Sequence, residues 1–213
     1  MQKWTLFNCA GLMATVVAAL LQHQKAVAAF RPEPKSAAAQ VYIVDKTASE
    51  IKFQVKSRLK VIEGLFENWK AQIDLDPARL EALQLRVQAQ SASIKTGNAF
   101  EEALIRGENF FAAEKYPEVS VVSKKITSED AGRFRMEAEL TLRGTTHPVV
   151  IPFVLEKKGE SDVQLRGEFE FNRKDFGISF NMALNPIEDM VRVIVTLKAR
   201  EQGQPPKEPS TKK

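Results

Sequence analysis

The sequence predicts an all-β fold of eight main antiparallel strands closed into a barrel with a short helical insertion, and three observations predict it. Apolar residues recur at every second position through most of the chain. Helical periodicity is confined to one stretch near Ala99–Arg106. Strands do not alternate with long crossover helices, so antiparallel pairing is favoured over a dinucleotide-binding parallel sheet. Closure would pair every strand edge; a two-sheet sandwich is the alternative that alternation by itself leaves open.

The first strand places Ile51, Phe53 and Val55 opposite Lys52, Gln54 and Lys56. Val61–Leu75 reads as one long or bent strand, in which Trp69, Ala71, Ile73 and Leu75 alternate with Lys70, Gln72, Asp74 and Asp76 before Pro77 ends the run. Leu83, Leu85, Val87 and Ala89 form the next stripe, and the helical insertion and a Val119–Ile126 strand follow. Phe134, Met136, Ala138, Leu140 and Leu142 then alternate with Arg135, Glu137, Glu139 and Thr141. A turn at Gly144-Thr145-Thr146 leads to Val149, Ile151, Phe153 and Leu155, where Pro152 predicts an edge, a bulge or irregular pairing. Val163, Leu165, Gly167, Phe169 and Phe171 make the seventh stripe, and Val191, Val193, Val195 and Leu197 the last.

With 213 residues, 44% apolar and 27% charged, the chain has the composition of one packed domain rather than of a disordered polymer. Its net charge of +4 is too weak to support extended nucleic-acid binding. Lys3, the apolar-rich run Leu6–Leu21 and Ala26-Val27-Ala28 have the order of a secretory signal peptide, predicted over residues 1–28. The run is short for a membrane anchor and is interrupted by Asn8. Cleavage after Ala28 would remove Lys3, Lys25, His23 and Cys9, leaving a net charge of +2 and no thiol for nucleophilic catalysis, a disulfide or a Cys/His zinc site. Residues 29–40 read as a flexible Pro- and Ala-rich tail and residues 41–200 as the folded domain. Residues 201–213, with Pro205, Pro206 and Pro209, read as a disordered tail. A periplasmic or secreted location is the expectation.

No coherent catalytic constellation emerges. His147 would be the sole mature histidine, but it has no serine elbow or metal-binding partner near it and reads as a turn residue. Asp74 and Asp76 share a strand face, and Asp175 and Asp189 could meet only through the fold; solvated charge or loop hydrogen bonding is the plainer role for all four. Gly144 and Gly177 fit turns, with no nucleotide-binding glycine fingerprint. Neither a metal site nor a required cofactor is predicted.

Aromatic residues give the stronger lead, with 13 phenylalanines against two tyrosines and two tryptophans. Core packing accounts for any one of them, yet an eight-stranded barrel can also enclose a small apolar ligand. The candidate ligand-binding set comprises Phe53, Phe66, Trp69, Phe134, Met136, Phe153, Phe169 and Phe171 on strands, with Phe176 and Phe180 on a loop that could close one barrel end. Phe110, Phe111 and Tyr116 join it as aromatic surface at a cavity mouth, followed by Pro117. Arg106, Arg143, Arg173 and Asp175 are candidates for a polar mouth or structural support, Arg173 and Asp175 as holders of Phe176-Gly177-Ile178 against the barrel.

Ordered motifs carry a family resemblance across about residues 41–200. They are Tyr42-Ile43-Val44-Asp45, Ser49-Glu50-Ile51-Lys52-Phe53, Gly64-Leu65-Phe66 and Ser93-Ile94-Lys95-Thr96-Gly97-Asn98. Leu104–Pro117, with Phe110-Phe111 and Tyr116-Pro117, follows the pattern L-R-x-x-x-F-F-x-x-x-x-Y-P with one shifted residue. Leu140–Val149 follows L-T-x-R-G-x-T-x-P-V, and Arg173–Ile178 follows R-x-D-F-G-I. In these features the sequence resembles the bacterial YceI-like family of polyisoprenoid-binding or lipid-binding proteins. Ala112 and Ala113 stand where that family often has an acid after the paired phenylalanines.

The resemblance implies an extended, lipocalin-like antiparallel barrel in an exported protein, with an apolar cavity for an isoprenoid chain or similar amphiphile. Joined to the residue reading, it predicts a noncatalytic binder of a polyisoprenoid, isoprenoid quinone or related long-chain amphiphile, for transport, storage or sequestration. Two alternatives stand beside it: an enzyme acting on a lipid or isoprenoid head group, using Asp175 or another carboxylate positioned by the fold, and an envelope adaptor or stress-response protein. The partners expected are a long-chain amphiphilic lipid, transient membrane or envelope-protein contact and a homodimer, with no nucleic acid.

Overall fold

A computed structural model of the chain describes residues 39–130, 132–181 and 183–203. The predicted signal peptide, nearly all of the N-terminal tail and most of the C-terminal tail lie outside the described residues.

Among the described residues eleven strands form one antiparallel system: β1 (Gln40–Val44), β2 (Glu50–Ser57), β3 (Val61–Phe66), β4 (Trp69–Asp76), β5 (Arg79–Gln90), β6 (Ile94–Lys95), β7 (Glu118–Asp130), β8 (Arg133–Leu142), β9 (Thr145–Lys157), β10 (Asp162–Asn172) and β11 (Ile187–Glu201). The one α-helix described, α1, spans Ala99–Arg106. Eight strands close a ring in the order β1-β4-β5-β7-β8-β9-β10-β11, completed by Tyr42↔Glu201, Ile43↔Arg200 and Val44↔Ala199 between β1 and β11. Closure therefore decides against the two-sheet sandwich. The fold is the lipocalin-like antiparallel barrel, with additional strands and a short helix.

β2, β3 and β6 extend the wall at one end, because three long strands bend. β1 and β2 are one strand interrupted at Lys46–Ala48, where Asp45 accepts hydrogen bonds from Thr47 N and Ala48 N at 2.9 and 3.3 Å. The predicted Val61–Leu75 strand divides into β3 and β4 at Glu67-Asn68, and β5 continues into β6 through Ser91–Ser93. Backbone bonds from Gln90 N to Asn68 O (2.8 Å) and from Glu67 N to Ser93 O (3.1 Å) keep the two bent strands in register across the bend.

Alternation fixes the inner face. Along β8, Phe134, Met136, Ala138, Leu140 and Leu142 are buried while Arg133, Arg135 and Glu137 are exposed. Arg143 and Gly144 join β8 to β9 with positive φ angles of 52° and 71°, the backbone that a two-residue type I′ hairpin requires.

Pairing between β9 and β10 stops at Phe153↔Gly167, although β9 continues back to Thr145 on β8 and β10 continues to Asn172 on β11. The cause is in the sequence. Leu155 N donates toward the β8 side, to Gly132 O at 3.0 Å, so alternate residues starting at Pro152 and including Pro148 face β10, and neither proline has an N–H to give. The strands part beyond that point. Buried Phe176 packs in the opening, edge-on to His147 of β9 and Phe171 of β10 at ring distances of 5.1 and 5.3 Å. His147 Nε2 donates to Asp175 O at 2.9 Å and fastens the same turn.

Candidate functional site: an apolar cavity open at one barrel end

The barrel interior holds an apolar cavity of about 280 Å³, close to the lower end of the ~300–1,000 Å³ typical of small-molecule sites. Its wall is made by inward residues in the loop-proximal halves of the strands: Ile51, Phe53 and Val55 of β2, Leu85, Val87 and Ala89 of β5, Leu140 and Leu142 of β8, Phe169 and Phe171 of β10, and Val191, Val193 and Val195 of β11. Met136, Ile151 and Leu165 form its floor. Two register positions below the Met136↔Ile151 pair, Phe134 stacks on Phe153 at 5.3 Å and 22°. Both rings are buried and neither lines the cavity, so they close that end.

The open end is built from α1, the loop after it and the segment between β10 and β11. Asn98 caps α1 by accepting from Phe100 N (3.0 Å) and Glu101 N (3.2 Å), and the helix presents Leu104 and Ile105 to the cavity. Glu102, 6% exposed, ties the helix to β6 by accepting from Thr96 N (3.2 Å), Gly97 N (3.3 Å) and Lys95 Nζ (3.2 Å). The Thr96 N–H foremost, with Lys95 beside it, holds this carboxyl below the usual glutamate range; its burial acts in the opposite sense.

Three sequence motifs meet at this end through one arginine. Arg143 Nη1 donates to Phe110 O at 2.8 Å and to Gly177 O at 3.3 Å, joining the Leu104–Pro117 and Arg173–Ile178 stretches to the β8–β9 turn. Tyr116 packs over Gly144, where an added Cβ would lie 2.9 Å from its ring, which together with the positive φ accounts for glycine there. Arg173, 2% exposed, donates to Ile178 O (2.6 Å), Phe180 O (2.9 Å) and Glu188 O (3.1 Å), and its Nη2 meets Asp189 Oδ1 at 3.0 Å.

The structure sorts the predicted residues by height along the barrel. Phe53, Phe66, Phe110, Phe111, Met136, Phe169, Phe171 and Arg173 line the cavity. Trp69, Tyr116, Phe134, Phe153, Phe176 and Phe180 do not. Trp69 is buried near the bend between β3 and β4 with Lys46 5.7 Å above its ring, and Phe180 lies edge-on to Phe110 at 5.6 Å. Arg106 reaches Glu102 O (3.0 Å), Ala92 O (3.3 Å) and the Glu102 carboxylate (3.6 Å), a contact set internal to the protein. Arg173 does hold the Phe176–Ile178 segment, but its carboxylate partner is Asp189; Asp175 is exposed and contributes its backbone carbonyl to His147.

The candidate ligand-binding set, drawn from aromatics, left out the aliphatic wall of Ile51, Val55, Leu85, Val87, Val191, Val193 and Val195, although alternation had already placed these residues in the apolar stripes. Ala112 and Ala113 are buried in a compact turn, with Ala112 at φ 46° and its N–H bonded to Gly107 O at 2.9 Å. The carboxylates considered for acid–base work are separately engaged: Asp76 with Ala78 N and Arg79 at the β4–β5 turn, Asp74 with Gln72, and Asp189 with Arg173 and Lys174. Among the described residues no group of three or more His, Cys, Asp or Glu side chains is placed to hold a metal.

Polar residues in the wall are few: Ser120 lines it, and the four others are engaged within the protein. Asn98 caps α1, Asn185 Oδ1 accepts from Leu59 N at 3.2 Å, Glu101 pairs with Lys60, and Arg173 bonds to the carbonyls named above. The site thus offers hydrocarbon burial in depth and polar contact only toward its opening.

Relatives share this architecture. A crystal structure of BcnA from Burkholderia cenocepacia superposes with a TM-score of 0.69 at 22% identity, covering 73% of this chain and 99% of that one. A polyisoprenoid binding domain from Saccharophagus degradans gives 0.58 at 13% identity, covering 76% and 99%. In sequence, a UPF0312 protein of Pseudomonas savastanoi is 29% identical over 145 residues, 64% of this chain and 76% of the relative, and one of Azotobacter vinelandii is 27% identical over 169 residues, 76% and 87%. The model of the YceI-like domain matches residues 42–199, from the strand that closes the ring to the strand it closes against. With all eight barrel strands represented inside that match, the chain belongs to the YceI-like family.

Proposed function

We propose that this protein is a noncatalytic binding protein that holds the hydrocarbon tail of a polyisoprenoid, isoprenoid quinone or similar long-chain amphiphile in the barrel, with the polar head at the mouth. The observation that carries the reading is the apolar cavity shut by the Phe134–Phe153 stack at one end and open beside α1 at the other. Each CH2 moved from water into such a lining gains about 0.8 kcal/mol, so a tail can be retained without a buried charged anchor. The polyisoprenoid binding domain of Saccharophagus degradans, which has a similar fold, supports the choice of ligand class. The signal-like segment over residues 1–28 supports action outside the cytoplasm, as a periplasmic or secreted carrier or store.

Native mass spectrometry of the untreated protein, followed by lipid extraction, tests this. A reproducible one-to-one amphiphile is the expected result. Protein that is consistently empty and takes up no isoprenoid or other long-chain lipid overturns the reading.

A further inference from the structure

Around the cavity mouth stand the most exposed large apolar side chains among the described residues. Leu184 is 84% exposed, Phe100 72% and Leu59 71%. They come from three different segments: the β10–β11 connection, the first turn of α1 and the β2–β3 turn. Short contacts gather the segments together. Leu59 N donates to Asn185 Oδ1 at 3.2 Å, Arg58 N donates to Pro186 O at 2.9 Å, and Lys60 Nζ pairs with Glu101 Oε1 at 2.6 Å. Since Phe100, Glu101 and Asn185 also line the cavity, the apolar tips stand beside its opening.

The charges nearby select the partner. The end of β2 and the β2–β3 turn together read Lys56-Ser57-Arg58-Leu59-Lys60, three cations and no acid around one apolar tip. Lys60 is matched by Glu101, whereas Lys56 and Arg58 have no ion pair among the described residues. Several acids of this end are neutralised internally: Glu101 by Lys60, Glu102 by Lys95 and Arg106, and Asp189 by Arg173 and Lys174. Separate apolar tips flanking an opening suit insertion among lipid chains better than a flat protein contact, and cations beside them suit phosphate headgroups.

We propose that this open end docks on an anionic lipid bilayer, with Leu59, Phe100 and Leu184 entering the boundary between headgroups and acyl chains and Lys56 and Arg58 lying at phosphate level. The purpose of docking, loading the cavity directly from the bilayer, rests on the binding-protein reading; the docking geometry does not.

The test uses the full chain with Cys9→Ser and an environment-sensitive fluorophore on Leu59→Cys, on Leu184→Cys or, as the control, on Ile43→Cys, which is exposed on β1 away from the mouth. Each probe reports its own surroundings, so attachment through the Leu6–Leu21 run would not imitate insertion of the mouth. With vesicles of phosphatidylglycerol and phosphatidylcholine, emission at positions 59 and 184 should shift to the blue and that at 43 should not. Lys56→Gln and Arg58→Gln should each weaken the response about fivefold, and added salt should weaken it further. Unchanged emission at 59 and 184, or changes no larger than at 43, overturns the proposal. Lipid extraction from the same preparation separates the two readings: an empty cavity under an inserting mouth sinks the carrier reading alone, and a loaded cavity under a mouth that stays in water sinks the docking alone.

Discussion

Gly64 faces the interior of β3 so closely that a Cβ there would stand 2.3 Å from Phe53 Cζ. The glycine of the Gly64-Leu65-Phe66 motif is thus the space that lets the Phe53 ring lie along the wall instead of across the cavity. Gly64→Ala should drive that ring inward, lower stability by about 1–3 kcal/mol and reduce uptake of a long-chain lipid. Thermal unfolding and a lipid-displacement titration check both effects; an alanine variant matching the parent in each would refute this account of the motif. The same residue scale shows what motif order conveyed and what it did not. Arg143 and Arg173 were legible as supports for the loop segments, and Arg143 does join Phe110 to Gly177. The partner of Arg173 was not legible, because Asp175 is close in sequence but points into solvent while Asp189 arrives from another strand.

Among elements, α1 carries a pH dependence through Glu102. Glu102 has its pKa lowered from the ordinary 4.5 in the folded protein, by the Thr96 N–H first and Lys95 next. A depressed carboxyl pKa gives stability that is fully present above the unfolded value and is lost as pH falls through the folded one. Anchoring of α1 to β6 should therefore hold at neutral pH and loosen below about pH 4.5. Glu102→Gln should flatten that acid slope of the unfolding temperature; an unaltered slope would assign it to other groups. Strands were readable because one apolar face alternates with one polar face. β1 escaped because Gln40–Val44 buries only Tyr42 fully and turns Ile43 out to solvent, which breaks the pattern. Val61–Leu75 was legible as a long or bent element, but the place of its bend was not, since the bend at Glu67-Asn68 is held by backbone bonds with Ser93 and Gln90, distant in sequence.

For the whole molecule, alternation tells which side chains face inward but not how high along the barrel they sit. Phe134 and Phe169 are equivalent by that criterion, yet Phe134 packs below the floor and Phe169 lines the cavity. Phe153→Ala should lower stability by about 3–5 kcal/mol and lengthen the cavity toward the closed end, allowing a longer tail to be held. Equilibrium unfolding and the chain length of the extracted lipid measure the two effects, and an unchanged length with full stability would count against the ring pair as the floor. Closure itself was only inferable from sequence as the arrangement that satisfies every edge, and the one place where it fails was marked by Pro152. That parting of β9 from β10 has a mechanical meaning. A hoop of backbone bonds has a fixed girth, but near the mouth this hoop is unfastened, with the Phe176 ring seated in the join. Widening to admit a thicker guest there asks an aromatic plug to slide and leaves the bonded staves intact.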